Sequence, residues 1–235
     1  MEQYIYPLTK RISIVTGHYG SGKTEFSVSL AMLLSEIGHG FPRLAVIDLD
    51  IANPYFRSRE RRELLESRGI GVFGSAYRDE ITAELPALGA AARGPLEDKG
   101  CRVIIDAGGN DSGAIVLNQF SKYFTPDETT MLAVVNFNRY ETRSIDAARE
   151  HIEAIELVTH LRADGVINNS HLLRETDAEI IRRGHDLSTE LCERTDKRLY
   201  CDCYPAPIVR RDELNYPHLM PLGMYMRPTW LDVKM

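Results

Sequence analysis

Cysteine is scarce in this chain, and the scarcity excludes a disulfide-stapled scaffold. Cys101, Cys192, Cys201 and Cys203 are the four thiols in 235 residues, a usage that fits a reducing compartment. No apolar run approaches the roughly 20 residues that a bilayer span requires, so no membrane anchor is expected. The stretch from Met1 to Arg11 lacks the basic start and apolar core of a signal peptide, which predicts a cytoplasmic protein. An excess of basic residues is missing too. With 34 acidic against 28 basic side chains the net charge is −6, which gives no overall attraction to nucleic acid and makes it an unexpected partner. The seven histidines fall into no metal-ligand spacing. No repeat, low-complexity segment or linker rich in Pro, Gly and Ser interrupts the chain, so residues 1–235 read as a single domain.

What the chain does have is alternation of two periodicities. Short β-branched runs predict strands at Arg11 to Thr16, Leu44 to Asp48, Ile70 to Gly74, Val103 to Asp106, Met131 to Asn136, Gly165 to Asn168 and Arg198 to Tyr204. Helical patterns lie between them. Phe26, Leu30, Leu33, Leu34 and Ile37 share one helix face, and further helices are expected near Pro54 to Ser67, Ile81 to Glu97, Ala114 to Tyr123, Glu141 to Leu161 and Glu175 to Arg194. Gly38 and Gly40 stop the first helix, and Gly69 stops the second. This order predicts an α/β fold, a mostly parallel sheet flanked by helices on both faces. Ligands of such sheets bind outside the carboxyl ends of the strands.

At the first of those ends stands Gly17-His18-Tyr19-Gly20-Ser21-Gly22-Lys23-Thr24, which fits G-x-x-x-x-G-K-S/T between a predicted strand and a predicted helix. Glycines at Gly17, Gly20 and Gly22 let the backbone curl into a nest of inward N–H groups, and the following helix adds its positive end. Lys23 is placed to reach the β- and γ-phosphates and the Thr24 hydroxyl to coordinate Mg²⁺. The run from Gly17 through Ser21 to Glu25 is therefore expected to hold a nucleoside triphosphate.

Acids end two other strands. Asp48 and Asp50 follow Leu44 to Ile47, and alternation turns them the same way if the extended geometry persists. Asp106 closes Cys101 to Ile105 and precedes Ala107, Gly108 and Gly109, an arrangement of Walker B type. Asp106 can hold Mg²⁺ directly or through water, and the backbone of Gly108 or Gly109 can approach a γ-phosphate and sense its loss.

A phosphate loop near the N-terminus, an Asp-x-Asp ending the next strand and an Asp-x-Gly-Gly ending a later one resemble the MinD/ParA/CobQ/CobB group of P-loop ATPases over about residues 10–210. The resemblance implies a P-loop NTPase three-layer sandwich and ATP and Mg²⁺ as ligands. In it Lys23 and Thr24 bind phosphate and metal, Asp48 supports the metal site, Asp50 orients or activates the attacking water, and Asp106 completes the metal shell. Members with the variant loop G-K-G-G-x-G-K-S/T carry a lysine after the first glycine, and that lysine reaches the nucleotide of a second subunit. This chain has His18 there, either a solvent-facing loop residue or a position whose missing charge Arg57, Arg59 or Arg78 supplies.

After the sixth predicted strand, a guanine reader would present Asn-Lys-x-Asp, and His171 stands where the acid would be. An amide both donates and accepts, as adenine requires, so ATP is expected over GTP with Asn168 as the base contact. Tyr204-Pro205-Ala206-Pro207 either covers the other face of the base through Pro205 or simply ends its strand. The run from Arg57 to Glu66 reads as a solvated helix face with Arg59–Glu63 and Arg62–Glu66 pairs, or as a partner-facing switch next to Asp50. Cys201 and Cys203 share a strand face, buried by default, or supplying half of a four-thiolate metal site between two subunits.

The functional expectation is a slow, partner-stimulated Mg–ATP hydrolase that serves as a switch for an unidentified protein partner, including metal-centre maturation and an ATP-dependent homodimer. An ATP-dependent small-molecule enzyme such as an amidoligase or synthetase is the alternative, and a DNA-partitioning ATPase the third.

Overall fold

In the computed structural model, residues 3–50, 61–74 and 92–226 are described. Eight strands form one sheet in the order β3-β2-β4-β1-β5-β6-β7-β8, and every neighbouring pair is parallel. They are β1 (Ile12–Thr16), β2 (Arg43–Asp48), β3 (Ile70–Gly74), β4 (Cys101–Asp106), β5 (Thr129–Val135), β6 (Gly165–Asn168), β7 (Arg198–Pro205) and β8 (Leu219–Leu222). The helices are α1 (Lys23–Ile37), α2 (Arg62–Glu66), α3 (Ile145–Thr159) and α4 (Ala178–Thr195); residues 92–97 and the single turn Asp111–Ala114 are also helical. The fold is the expected α/β sandwich.

Alternation along each strand feeds two cores. Ile12 and Ile14 face the layer that holds residues 92–97, Phe120 and the Ala148, Ile152 and Ile155 stripe of α3. Val15, Val46, Ile104 and Ile167 face the α1 layer with Phe26, Leu30 and Leu34. Strands covered on both sides read as continuous apolar runs, and this is why they were visible in sequence. Ser144 and Asp177 cap α3 and α4 by accepting the Ala147 and Ile180 N–H groups.

Three features depart from expectation. Strand β8 was not foreseen, because Leu219 to Leu222 is short and contains Pro221; it sits at the sheet edge, where a missing N–H is tolerated. Ile115–Tyr123 winds as a 3₁₀ helix rather than an α-helix. Arg11, at the predicted start of β1, is buried and donates to the carbonyls of Pro95, Leu96, Asp98 and Cys101 and to Glu128. It thereby satisfies carbonyls at the end of the helical turn at 92–97. The early parts of the helices expected from Pro54 and Ile81 lie outside the described residues. Of the Arg57 to Glu66 run, Arg62 pairs with Glu66 at 3.1 Å on an exposed face.

β1 is the point where successive strands part to opposite sides, with β4 on one flank and β5 on the other. The crevice above that point is where such sheets take ligands.

Candidate functional site

The loop after β1 enters α1 through Gly22, whose φ of +85° lies in the left-handed region that glycine adopts without cost. No side chain caps the helix start, so the first N–H groups of α1 are left for a ligand. Ser21 is buried, and its hydroxyl has no hydrogen-bond partner among the described residues. A buried, unpartnered donor beside open helix N–H groups fits a phosphate.

Lys23 and Thr24, the first residues of α1, turn inward and are 3% and 5% exposed. Lys23 Nζ lies 2.8 Å from Asp50 Oδ2. Asp48, the last residue of β2, accepts the Asp50 N–H at 3.1 Å and is the register partner of Asp106 on β4. Equivalent positions on adjacent parallel strands put both carboxylates at one rim. Asp106 is fully buried, and neither of its oxygens completes a well-formed hydrogen bond. Burial, the largest influence, together with Asp48 and Asp50 raises its pKa to about 8 against the opposing pull of Lys23 and the nearby Thr24 hydroxyl. A carboxylate under such strain beside a hydroxyl suits a small hard cation that also takes phosphate oxygens. Among the described residues no three His, Cys, Asp or Glu side chains converge on a metal.

Gly109 lies against this loop. A Cβ there would stand 2.3 Å from the Gly17 carbonyl oxygen, so the segment after β4 reaches the phosphate loop only as glycine backbone. Gly108 packs equally closely on Gly113.

Other expected contacts are engaged elsewhere. Glu25 accepts the Tyr225 and Met226 N–H groups at 2.9 and 2.7 Å and the Ser29 hydroxyl, so its carboxylate ties the C-terminal segment to α1 rather than facing a nucleotide. Asn168 is fully buried; its amide donates to Ile181 O and Asp202 Oδ1 and accepts from Ser170 N. As placed, it offers a base no free group. Pro205 is buried, and its carbonyl accepts from Ile208 and Val209, closing the turn that ends β7. Cys201 and Cys203 share a face as expected, but that face is the α1 core, and burial raises the Cys201 thiol pKa. Both sulfurs lie in the chain's own core rather than on its surface, which argues against an intersubunit thiolate site here. His18 bonds its own loop at Tyr19 O and meets His151 of α3 edge-on at 5.0 Å. Arg57, Arg59 and Arg78 lie outside the described residues.

Two residues not anticipated from sequence touch the phosphate loop. Asn169, one position past Asn168, donates to Ser21 O at 2.7 Å, and Arg139 Nε donates to Gly20 O at 2.9 Å. The doubled Asn-Asn was the available signal for the first. Nothing in the local pattern singled out Arg139.

No protein-family profile matches the chain, and no curated protein matches it either. Solved structures do. Chloroplast FtsY from Physcomitrella patens aligns with a TM-score of 0.52 and 16% identity over 83% of this chain and 61% of that one. A nucleotide-binding protein in complex with ADP from Archaeoglobus fulgidus aligns at 0.49 and 14% identity over 96% and 91% of the two chains. A ParA family ATPase from Chlorobium tepidum aligns at 0.33 and 14% identity over 80% and 93%. The chain spans only about three fifths of the FtsY chains from Mycoplasma mycoides and P. patens, 60% and 61%. Among the described residues no helix is long and apolar enough to cross a membrane. With its parallel sheet, its glycine loop between β1 and α1, and its rim of carboxylates on β2 and β4, the chain has the α/β sandwich fold of the P-loop nucleotide-binding proteins.

Proposed function

We propose that this protein binds Mg–ATP and hydrolyses it slowly, as a nucleotide-dependent switch for a protein partner. The observation that carries the reading is the convergence of Lys23, Thr24, Asp50 and Asp106 beneath a loop whose helix N–H groups are open. Lys23 and the start of α1 bind phosphate. Thr24 and Asp106, with Asp48 behind them, would hold a Mg²⁺ ion, which would supply positive charge to neutralise the phosphate oxygens. Asp50 accepts from the attacking water once phosphate has taken Lys23 from it. Gly109, in contact with the loop at Gly17, relays the presence of the terminal phosphate to the segment after β4.

ATP is favoured over GTP by His171. It stands at the sequence position that a guanine-reading acid would occupy, and burial with the nearby Arg139 charge lowers its pKa to about 4. A neutral imidazole cannot replace a carboxylate that accepts two donors from guanine.

The test is equilibrium binding of fluorescent ATP and GTP analogues with Mg²⁺, followed by phosphate release, on wild type and Lys23→Ala. Binding of ATP in preference to GTP, lost by on the order of 100-fold or more in the variant, is expected because the variant loses the ammonium aimed at the phosphates. Equal binding by the two proteins refutes the site. ATP-dependent doubling of the mass in light scattering identifies a homodimer as the switched state, and an unchanged mass directs the search to a different partner.

A further inference from the structure

The phosphate loop is gripped from outside by side chains of two neighbouring loops. β5 ends at Val135, and the chain then folds into a tight turn. Asn136 Oδ1 accepts from the N–H groups of Asn138 and His171 at 3.0 and 3.3 Å, and Asn136 O accepts from Arg139 N and Thr142 Oγ1 at 3.1 and 2.7 Å. Phe137 N donates to Ser170 Oγ at 3.2 Å, tying this turn to the one after β6. The backbone carrying Arg139 is thus fixed before its side chain does anything. From there its guanidinium reaches Gly20 O, close enough that a Cβ on Gly20 would lie 3.2 Å from Nε. Asn169, 1% exposed, takes the next carbonyl, Ser21 O.

The consequence follows from peptide geometry. The C=O and N–H of a trans peptide point in opposite directions. Holding Ser21 O against Asn169 therefore directs the Gly22 N–H away from Asn169. Holding Gly20 O against Arg139 fixes the peptide whose N–H, on Ser21, closes the turn onto His18 O at 2.9 Å. Left-handed residues at Gly20 and Gly22, with φ +76° and +85°, give this loop many alternative shapes when nothing grips it.

We propose that Arg139 is a positioning residue for nucleotide binding, clamping the Gly20 carbonyl so that the loop holds its phosphate-receiving shape before the ligand arrives. The proposal rests on the reading of this chain as a nucleotide binder and adds a residue that no motif contains. Preorganisation of this kind improves affinity by removing an ordering cost from the binding step. Because Arg139 acts through the loop, it affects every nucleotide whose β-phosphate the loop holds, with or without a γ-phosphate.

The experiment measures Mg–ATP and Mg–ADP dissociation constants and thermal unfolding midpoints for wild type, Arg139→Ala and Arg139→Lys. Arg139→Ala is expected to weaken ATP and ADP alike, by about tenfold, the loss of one charge-assisted hydrogen bond, with the unfolding midpoint of the free protein held within a few degrees. Arg139→Lys, which retains a donor, is expected to recover most of that loss. Loss of ATP affinity alone overturns the proposal by making Arg139 a terminal-phosphate ligand. Unchanged affinity, or no recovery with lysine, overturns it as well, while Lys23→Ala still abolishes binding. If the wild type binds neither nucleotide, the functional reading itself fails and the clamp falls with it.

Discussion

Lys23 Nζ and Asp50 Oδ2 stand 2.8 Å apart with both side chains almost wholly shielded from solvent, 3% and 2% exposed. If Lys23 binds phosphate as proposed, its ammonium is already paired with a carboxylate that a triphosphate would have to displace. Asp50→Asn removes the competitor and leaves a buried ammonium without its counter-charge. Breaking one side of such a pair costs about 3–5 kcal/mol. The free variant is expected to melt earlier, to bind Mg–ATP on the order of tenfold more tightly, and to turn over more slowly because an amide is a poor acceptor for a water proton. Calorimetric melting, a binding titration and a phosphate-release assay check the three parts. Unchanged or weaker affinity would show that the pair does not compete with phosphate.

Asp106 predicts a metal effect. Its burial, with neither oxygen in a well-formed hydrogen bond, is what a cation would relieve under the proposed function. Asp106→Asn is expected to remain folded, since an uncharged amide is cheaper to bury. It should bind ATP with little dependence on Mg²⁺, whereas the wild type loses affinity in EDTA. A variant as responsive to Mg²⁺ as wild type would assign the ion to other ligands.

Glu25 is expected to matter for the C-terminal segment and little for the nucleotide. Glu25→Ala leaves the Tyr225 and Met226 N–H groups without their acceptor, a loss of about 1–3 kcal/mol. Limited proteolysis should cut near Tyr225 sooner in the variant, while the Mg–ATP dissociation constant stays within about twofold. A large loss of nucleotide affinity would restore Glu25 to the binding site.

His185 gives a pH signature. Its Nδ1 lies 2.9 Å from Asp202 Oδ2 and its ring stacks on Tyr216; the Asp202 hydrogen bond raises its pKa above the ordinary 6.5, against burial. A raised folded pKa contributes stability that is fully present below the unfolded value and is lost as pH rises through the folded one. The melting point of wild type should therefore fall relative to His185→Gln as pH rises above about 6.5. Parallel melting curves across that window would remove His185 from the pH response.

The residues that chain-local chemistry dictates were legible in advance. Gly17 to Gly22 follow β1, Lys23 and Thr24 open α1, and Asp48, Asp50 and Asp106 lie at or just past the ends of β2 and β4; their types and spacing needed no partner to be recognised. The strands were equally plain, since a parallel sheet buried on both faces leaves uninterrupted apolar runs. β8 was not, because a four-residue edge strand with a proline is stabilised by its pairing with β7 rather than by its own pattern.

Side-chain destinations were decided by the folded chain alone. Asn168 and Asn169 are chemically identical neighbours. Strand alternation sends the first into the Asp202 network and the second to the phosphate loop. Glu25 sits one residue past Thr24 at the start of α1, yet the return of the C-terminal segment from β8 claims its carboxylate. Arg139 meets Gly20 from 119 residues away. A sequence determines which groups are available and which elements carry them. Which donor finds which acceptor depends on contacts between distant segments, and these exist only once the sheet has assembled and both of its faces are covered.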